Sequence, residues 1–487
     1  MRHQALLILS LFLSLASAPA QPNDSAPVSC TQLIAWSAGG VSRQRLNRLT
    51  HEQGIAFRLD AAASDSLRMA GLDPVLIQHL RALTPVSIDT GTAGCPAPLA
   101  HAAELIQQKQ YQEAQSILRK LIASDPGNAA LHFAAAYAYQ RQEDWDEALE
   151  SYQNSLALMP GLSDTHSRLA YLFYRDDDGD NAIAEARTAL SIDPGNAEAY
   201  RFLGLGLFAN NQFAAAVHAF RESLARQPDN ADVYYDMGIT LHDQGDVDAA
   251  AAAYRKAIAL NPRFWEAHNN LGMLLHDLRS FDRAIAEYVE AKRLAPQESV
   301  VRYNLGNTYC DKGDYDAAVS EFRGLFRRDP GWQRGHTCLA RALMSRRDYE
   351  SAVAELKLAI LENPSSADEH RYLGQALLLV HRQPEALREL RLAVQLDPDS
   401  PLAHHYLATA LFNGEDFAAA ETEFRQALRV QPTANNHFYL SACLMSLGRY
   451  DDALDELEKA TRLEPAQNLY RARKQELLRL MKASNVH

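Results

Sequence analysis

The chain has 487 residues, with 61 acidic side chains against 48 Lys plus Arg and a formal net charge of −13. Apolar residues make up 47% and charged residues 22%, the balance of a globular protein rather than a disordered one. The acidic excess excludes a general nucleic-acid binder, which needs clustered basic surface, and disfavours adhesion to anionic lipid. Five cysteines without a CxxC pair exclude a zinc ribbon, a thioredoxin-type motif and covalent haem attachment.

Residues 1–20 read as a signal peptide. Arg2 and His3 open it, and the apolar run from Ala5 to Ala18 follows. At about 1.5 Å per helical residue that run falls short of a hydrocarbon core of about 30 Å. Ala18-Pro19-Ala20 fits a small-residue cleavage site, with Gln21 as the first mature residue. An uncleaved anchor is the competing reading. Cleavage implies a soluble mature chain without a membrane span, periplasmic or secreted.

Residues 21–94 form a separate piece. Ser42 opens a helical pattern through Leu46 and Leu49 to Gly54, Asp60 caps a second with Leu67, Met69 and Leu72, and Asp73-Pro74 opens a third through Leu76, Leu80 and Leu83. The stretch from Gly54 to Leu72 resembles a small helical module found ahead of repeat arrays in some bacterial proteins. A piece this small sits near the lower size limit for folding alone, so it needs a staple or a surface to dock on. Cys30 and Cys95 bracket it. In an oxidising compartment a disulfide would close 64 residues and contribute about 3–4 kcal/mol; the alternative is two free thiols. Cys310, Cys338 and Cys443 are expected to stay unpaired.

Residues 95–467 repeat. Proline recurs every 34 residues from Pro126 to Pro432, and Pro465 follows after 33. Alanine keeps the same clock from Ala114 to Ala453, and a third column is small throughout, with Ala102, Gly204, Gly306 and Ser441 among its members. In a typical unit Leu305 and Tyr309 share one helical face beside Gly306, and Ala318 and Phe322 share a face of the next helix. Pro330 then stops that helix, and Asp-Pro-Gly-Asn turns such as 193–196 supply the cap of the following one. Each unit is a helical hairpin. This pattern resembles the tetratricopeptide repeat, with its 34-residue period and L-G…Y…A…F…P spacing. The resemblance implies an all-α, right-handed α-solenoid of about eleven hairpins. Residues 468–487 supply a capping helix and tail, with Leu469, Leu477, Leu478 and Leu480 expected to cover the last hairpin.

No catalytic motif is present: GxGxxG, Walker, GxSxG and HExxH patterns are all missing from the sequence. The expectation is a non-enzyme without cofactor or metal. The resemblance directs attention to side chains that the repeat frame leaves free on first helices, because such arrays line a groove with them. These are Phe133, Tyr137, Tyr171 and Tyr174 in early units, then Phe208 and Tyr235. Their alternative role is packing against the neighbouring unit. His242-Asp243, His276-Asp277 and Cys310-Asp311 fill two columns in three successive hairpins, a hydrophilic file poorly spaced for a closed metal site. Asp176, Asp178, Gly179 and Glu185 partly match a calcium loop, but Tyr174 stands where its first acid belongs.

Charge along the expected groove is uneven. Asp164, Glu198, Asp232 and Glu266 make an acidic edge, and Arg334, Arg341 and Arg371 a basic one. Asn270, Asn304 and Asn307 resemble part of a carboxylate clamp without its lysine, so that function is not transferred. The expected function is a scaffold binding a protein or peptide partner in the groove. An accessory of envelope assembly or polysaccharide export, engaging glycan or a membrane complex, is the alternative.

Overall fold

A computed structural model describes residues 26–86 and 94–484; the expected signal peptide lies outside them. The described residues hold 27 helices and one isolated β-bridge, Val28 to Ile55. None of these helices is long and apolar enough to cross a membrane. The chain divides into two compact units, Met1–Pro262 and Arg263–His487.

The first unit opens with four short helices. α1 (Cys30–Ala38) stands where hydrophobic periodicity alone predicts nothing. A capping box starts it: Gln32 N–H donates to Ser29 Oγ at 3.1 Å, and Ser29 N–H donates to Gln32 Oε1 at 2.8 Å. Leu33, Ile34 and Ala35 are fully buried, because α1 packs on α5 (Ala97–Gln107) and α7 (Ala129–Arg141). α2 (Arg43–Gln53), α3 (Ala61–Met69) and α4 (Pro74–Ala82) begin at Ser42, Asp60 and Asp73, whose side chains accept from the first-turn amides. A disulfide joins Cys30 to Cys95, with Cα atoms 5.1 Å apart, so the start of α1 is tied to the chain entering α5. Five hairpins follow, ending at Leu260.

One logic recurs in the hairpins whose first helix carries a glycine in the small column. The small residue of the first helix receives a large side chain from the second. A β-carbon on Gly238 would fall 2.6 Å from the Tyr254 ring, and one on Gly272 would fall 2.8 Å from the Tyr288 ring. The turn between the two helices needs one left-handed residue. Glycine fills it at Gly245, Gly313 and Gly448, whereas Lys109, Glu143, Asp177, Asn211, Arg279, Arg347, His381 and Glu415 hold φ of 54–66° there.

The histidine column ties the two helices together. Nδ1 of His166, His268, His336, His370, His404 and His437 lies 2.5–2.7 Å from a carboxylate oxygen of the residue 19 positions on, from Glu185 to Glu456. Nε2 of His166, His370 and His404 reaches the carbonyl of the preceding repeat proline at 2.9–3.1 Å. These rings are structural clips between the helices and the turn before them. Of the proline turns, Asn196 caps its helix as expected, but the Asn128 amide bonds to Asp125 instead.

The second unit contains six hairpins and α27 (Asn468–Ser484). The cap buries one of the four expected leucines. Leu477 and Tyr470 are buried, whereas Leu469, Leu478 and Leu480 remain 37–55% exposed. Residues 470, 477 and 481 lie on one helical stripe, and it is this stripe that meets the last hairpin.

Candidate functional site

The first-helix face of the early hairpins is not open. Gly39 and Gly40, the turn between α1 and α2, lie against it. Arg168, on α9 (Ser163–Arg175), donates from Nη2 to the carbonyls of Gly40 at 3.2 Å and Gly39 at 3.4 Å. Arg45 of α2 pairs with Asp164 at 3.4 Å and with Asp193 at 2.8 Å, and Arg48 also binds Asp193. The small N-terminal piece is therefore docked by charge as well as by its apolar core.

The expected acidic edge is thus taken up by arginines at Asp164 and Glu198, while Asp232 stays exposed. Asp164 is 4% exposed under Arg45. Glu198 pairs with Arg168 at 3.1 Å, and Arg201 spans to Asp232 at 3.4 Å and to Asp236 at 2.6 Å. Arg168 and Arg201, each on a first helix, thus meet acids on the next first helix. Burial pushes the Glu198 and Asp236 carboxyls up, and the facing guanidinium opposes that push in each case. Sequence reasoning missed Arg45, Arg48, Arg168 and Arg201. An arginine followed by an acid 30 or 31 positions later was a legible signal for two of them.

Between α2 and the N-termini of α11 (Ala197–Ala209) and α13 (Ala231–Asp243) a polar cavity of about 480 Å³ remains, lined by Arg45, Arg48, Glu198, Arg201, Arg226 and Asp232 among others. Its arginines are engaged by acids, and Arg226 stacks on Tyr200 at 4.0 Å.

The aromatic residues divide. Phe133 is fully buried against Gly39 and packs edge-on to Tyr152 at 5.7 Å, so it cannot touch a partner. Tyr137 is half-buried beside Gly40 and under Arg168. Tyr171 leans on Phe202 at 5.4 Å, Phe208 on Phe213 at 5.9 Å and Tyr235 on Tyr254 at 6.1 Å. Tyr174 is half-buried, and desolvation pushes its hydroxyl pKa up. Neighbour packing describes these residues better than an exposed aromatic lining. His242, half-buried, and exposed Asp243 end α13 in this unit.

In the second unit the polar file is cross-linked by hydrogen bonds. His276 Nε2 lies 3.1 Å from Asp311, and its Nδ1 lies 3.4 Å from Asp277. Arg341 approaches Asp311 at 3.8 Å. Asp311 of the file and Arg341 of the expected basic edge thus meet, although Asp277 and Asp311 stay exposed. Asn304 donates to Asn269 at 3.0 Å, and Asn307 is half-buried on the same helix, α17 (Ser299–Lys312). Arg334 is exposed over the Tyr303 ring at 4.8 Å. Arg371 is not part of a free basic edge: it is 5% exposed, stacked on Tyr372 and bonded to Asp368 at 2.7 Å.

Among the described residues no three His, Cys, Asp or Glu side chains are grouped as metal ligands. The calcium-loop reading fails on two of its positions, since Glu185 is held by His166 and Asp178 caps α10 (Gly179–Ile192).

No curated protein matches the chain significantly. Among solved structures, a thermophilic TPR protein of Thermus thermophilus, TTC0263, is similar at 22% identity over 37% of this chain and 99% of its own, with a TM-score of 0.31. Yeast Tom70 is similar at 16% identity over 79% and 94%, with a TM-score of 0.32. Cut9–Hcn1 of the APC/C is similar at 14% identity over 90% and 89%, with a TM-score of 0.43. Tetratricopeptide repeats are matched at residues 133–197, 167–231, 203–259, 235–299, 339–401 and 407–468, more than half of the chain, and again at 105–153 and 300–331. With the period, the small-against-large hairpin contact and these matches in agreement, the chain belongs to the tetratricopeptide repeat family.

Proposed function

We propose that this protein is a non-enzymatic scaffold outside the cytoplasm, whose first-helix face binds a polypeptide partner. Proteins of this repeat family act in general as protein-interaction scaffolds. One observation carries the reading for this chain. The face is filled by the chain's own N-terminal helices in the first hairpins, while in the second unit it offers exposed Asp277, Asp311 and Arg334 beside half-buried His276 and Arg341. Mixed charges of this kind steer encounter and fix register more than they add affinity. The signal-like N-terminus and the Cys30–Cys95 disulfide support an oxidising compartment.

The test is retention of polypeptides from an envelope extract on the immobilised full chain, beside a glycan-binding screen. A saturable polypeptide partner whose association slows at low salt in Asp277→Asn supports the scaffold. Saturable glycan binding without any polypeptide would replace it by the accessory of envelope assembly or polysaccharide export. Compartment is tested separately by N-terminal sequencing of protein from the fractionated source cell. Mature chains starting at Gln21 support export; chains retaining residues 1–20 in the cytoplasmic fraction overturn it.

A further inference from the structure

Two cysteines carry chemistry that the scaffold reading leaves unused. Cys310 is buried at the end of α17, and Cys338 is partly exposed near the start of α19 (His336–Ser345). These are the first helices of consecutive hairpins within the second unit, and they pack together. The Cys310 thiol donates to the Cys338 backbone carbonyl at 3.5 Å, which brings its sulfur within a side chain's length of the other sulfur.

We propose that Cys310 and Cys338 are an oxidisable dithiol, a second disulfide site that links the first helices of two adjacent hairpins when the chain meets a disulfide donor.

The surroundings favour the reaction. Arg341 sits one helical turn beyond Cys338, while Asp311, next to Cys310, is drawn off by His276 at 3.1 Å and Arg341 at 3.8 Å. The neighbouring Cys338 thiol holds the Cys310 thiol below the ordinary cysteine value against the cost of burial, and Arg341 adds to that effect. The Cys310 thiol, with burial, pushes Cys338 up, so the pair gives its first proton to solvent as a unit.

The exchange balances with a small-molecule disulfide as oxidant. The partly exposed Cys338 gives its proton to solvent, and its sulfur attacks the donor. The donor's S–S bond breaks, one donor thiolate leaves, and a mixed disulfide remains on Cys338. Cys310 then loses its proton, and its sulfur attacks that of Cys338, expelling the second donor thiolate. Two protein thiols lose two electrons and two protons, and the donor disulfide becomes two thiols. Formation of Cys30–Cys95 calls for an oxidant of the same class.

The experiment uses the full chain in buffers of graded oxidised and reduced glutathione. Thiols are quenched with N-ethylmaleimide, and the protein is digested by trypsin without reduction. Cleavage after Arg302, Lys312, Arg334 and Arg341 puts the two cysteines on separate peptides, 303–312 and 335–341. The expected result is a disulfide-linked pair of these peptides as the major species at the oxidising end, with Cys443 alkylated throughout. Cys310→Ser abolishes the linked pair and leaves glutathione on Cys338. Full alkylation of both peptides across the series, or glutathione persisting on Cys338 of the unaltered chain without a linked pair, overturns the proposal. The unaltered chain alone decides the outcome if the variant fails to fold.

Discussion

The ring of Phe133 occupies the space into which a β-carbon on Gly39 would project. Gly39 has φ of −76°, so its backbone suits any residue and its constraint is purely steric. Gly39→Val therefore forces the α1–α2 turn off the first-helix face and should destabilise the docked helices by about 1–3 kcal/mol. Hydrogen exchange of the α1 amides measures this, with faster exchange expected in the variant and none in the second unit. Unchanged protection would mean that the turn is not seated on Phe133.

Reducing the Cys30–Cys95 disulfide removes a constraint across 65 residues of sequence. The chain-entropy account assigns such a loop about 4 kcal/mol. Trp36, buried in α1, reports on it. In Cys95→Ser its fluorescence transition should move to markedly lower urea, ahead of the repeats, whereas coincident and unshifted transitions would show that docking alone suffices.

Among the described residues, eight inter-helix turns hold a side-chain residue at positive φ where three others hold glycine. Glu415→Gly and Arg347→Gly should each stabilise by about 0.5–1 kcal/mol, the left-handed cost less the added chain entropy of glycine. Glu415 and Arg347 are exposed, so little packing is lost. A rise in the second unit's urea midpoint is the expected reading, and a fall would show that those side chains contribute contacts.

His405 lies among Tyr406, Phe424 and Tyr439, with Nδ1 bonded to the Asn436 carbonyl oxygen at 2.6 Å. Burial holds its imidazole below the ordinary histidine value, against the Asn436 hydrogen bond. The unfolded chain therefore takes up a proton that the folded chain resists. Its contribution to stability is complete above a pH of about 6.5 and is lost as pH falls below that toward the folded value. His405→Gln should flatten this part of the pH–stability curve, and an identical slope in both proteins would exclude His405 as its source.

The hairpins were legible because a 34-residue clock repeats a local rule, and Gly238 against Tyr254 obeys it as Gly306 does against Phe322. α1 was not legible by periodicity, since a nearly all-buried helix shows no polar stripe; the Ser29-x-x-Gln32 box was its one local mark. Arg45 meeting Asp164 is a contact across 119 positions that no periodic frame encodes. Arg371 was misread for another reason. A column assigns a helix face, but Tyr372 and Asp368 on its own helix decide whether the guanidinium reaches water.

The histidine clips have a kinetic consequence. Each joins residues 19 apart within one hairpin, so its closure asks for only a short loop. A chain whose contacts are this local folds from many starting points, and structure spreads to adjacent repeats as each new hairpin finds a preformed surface. Arg45 and Asp193 belong to the opposite regime, because their loop spans several hairpins. The N-terminal helices, made first during synthesis, must wait for repeats that emerge later before they can settle. The array would then be the template on which its own leading segment completes folding.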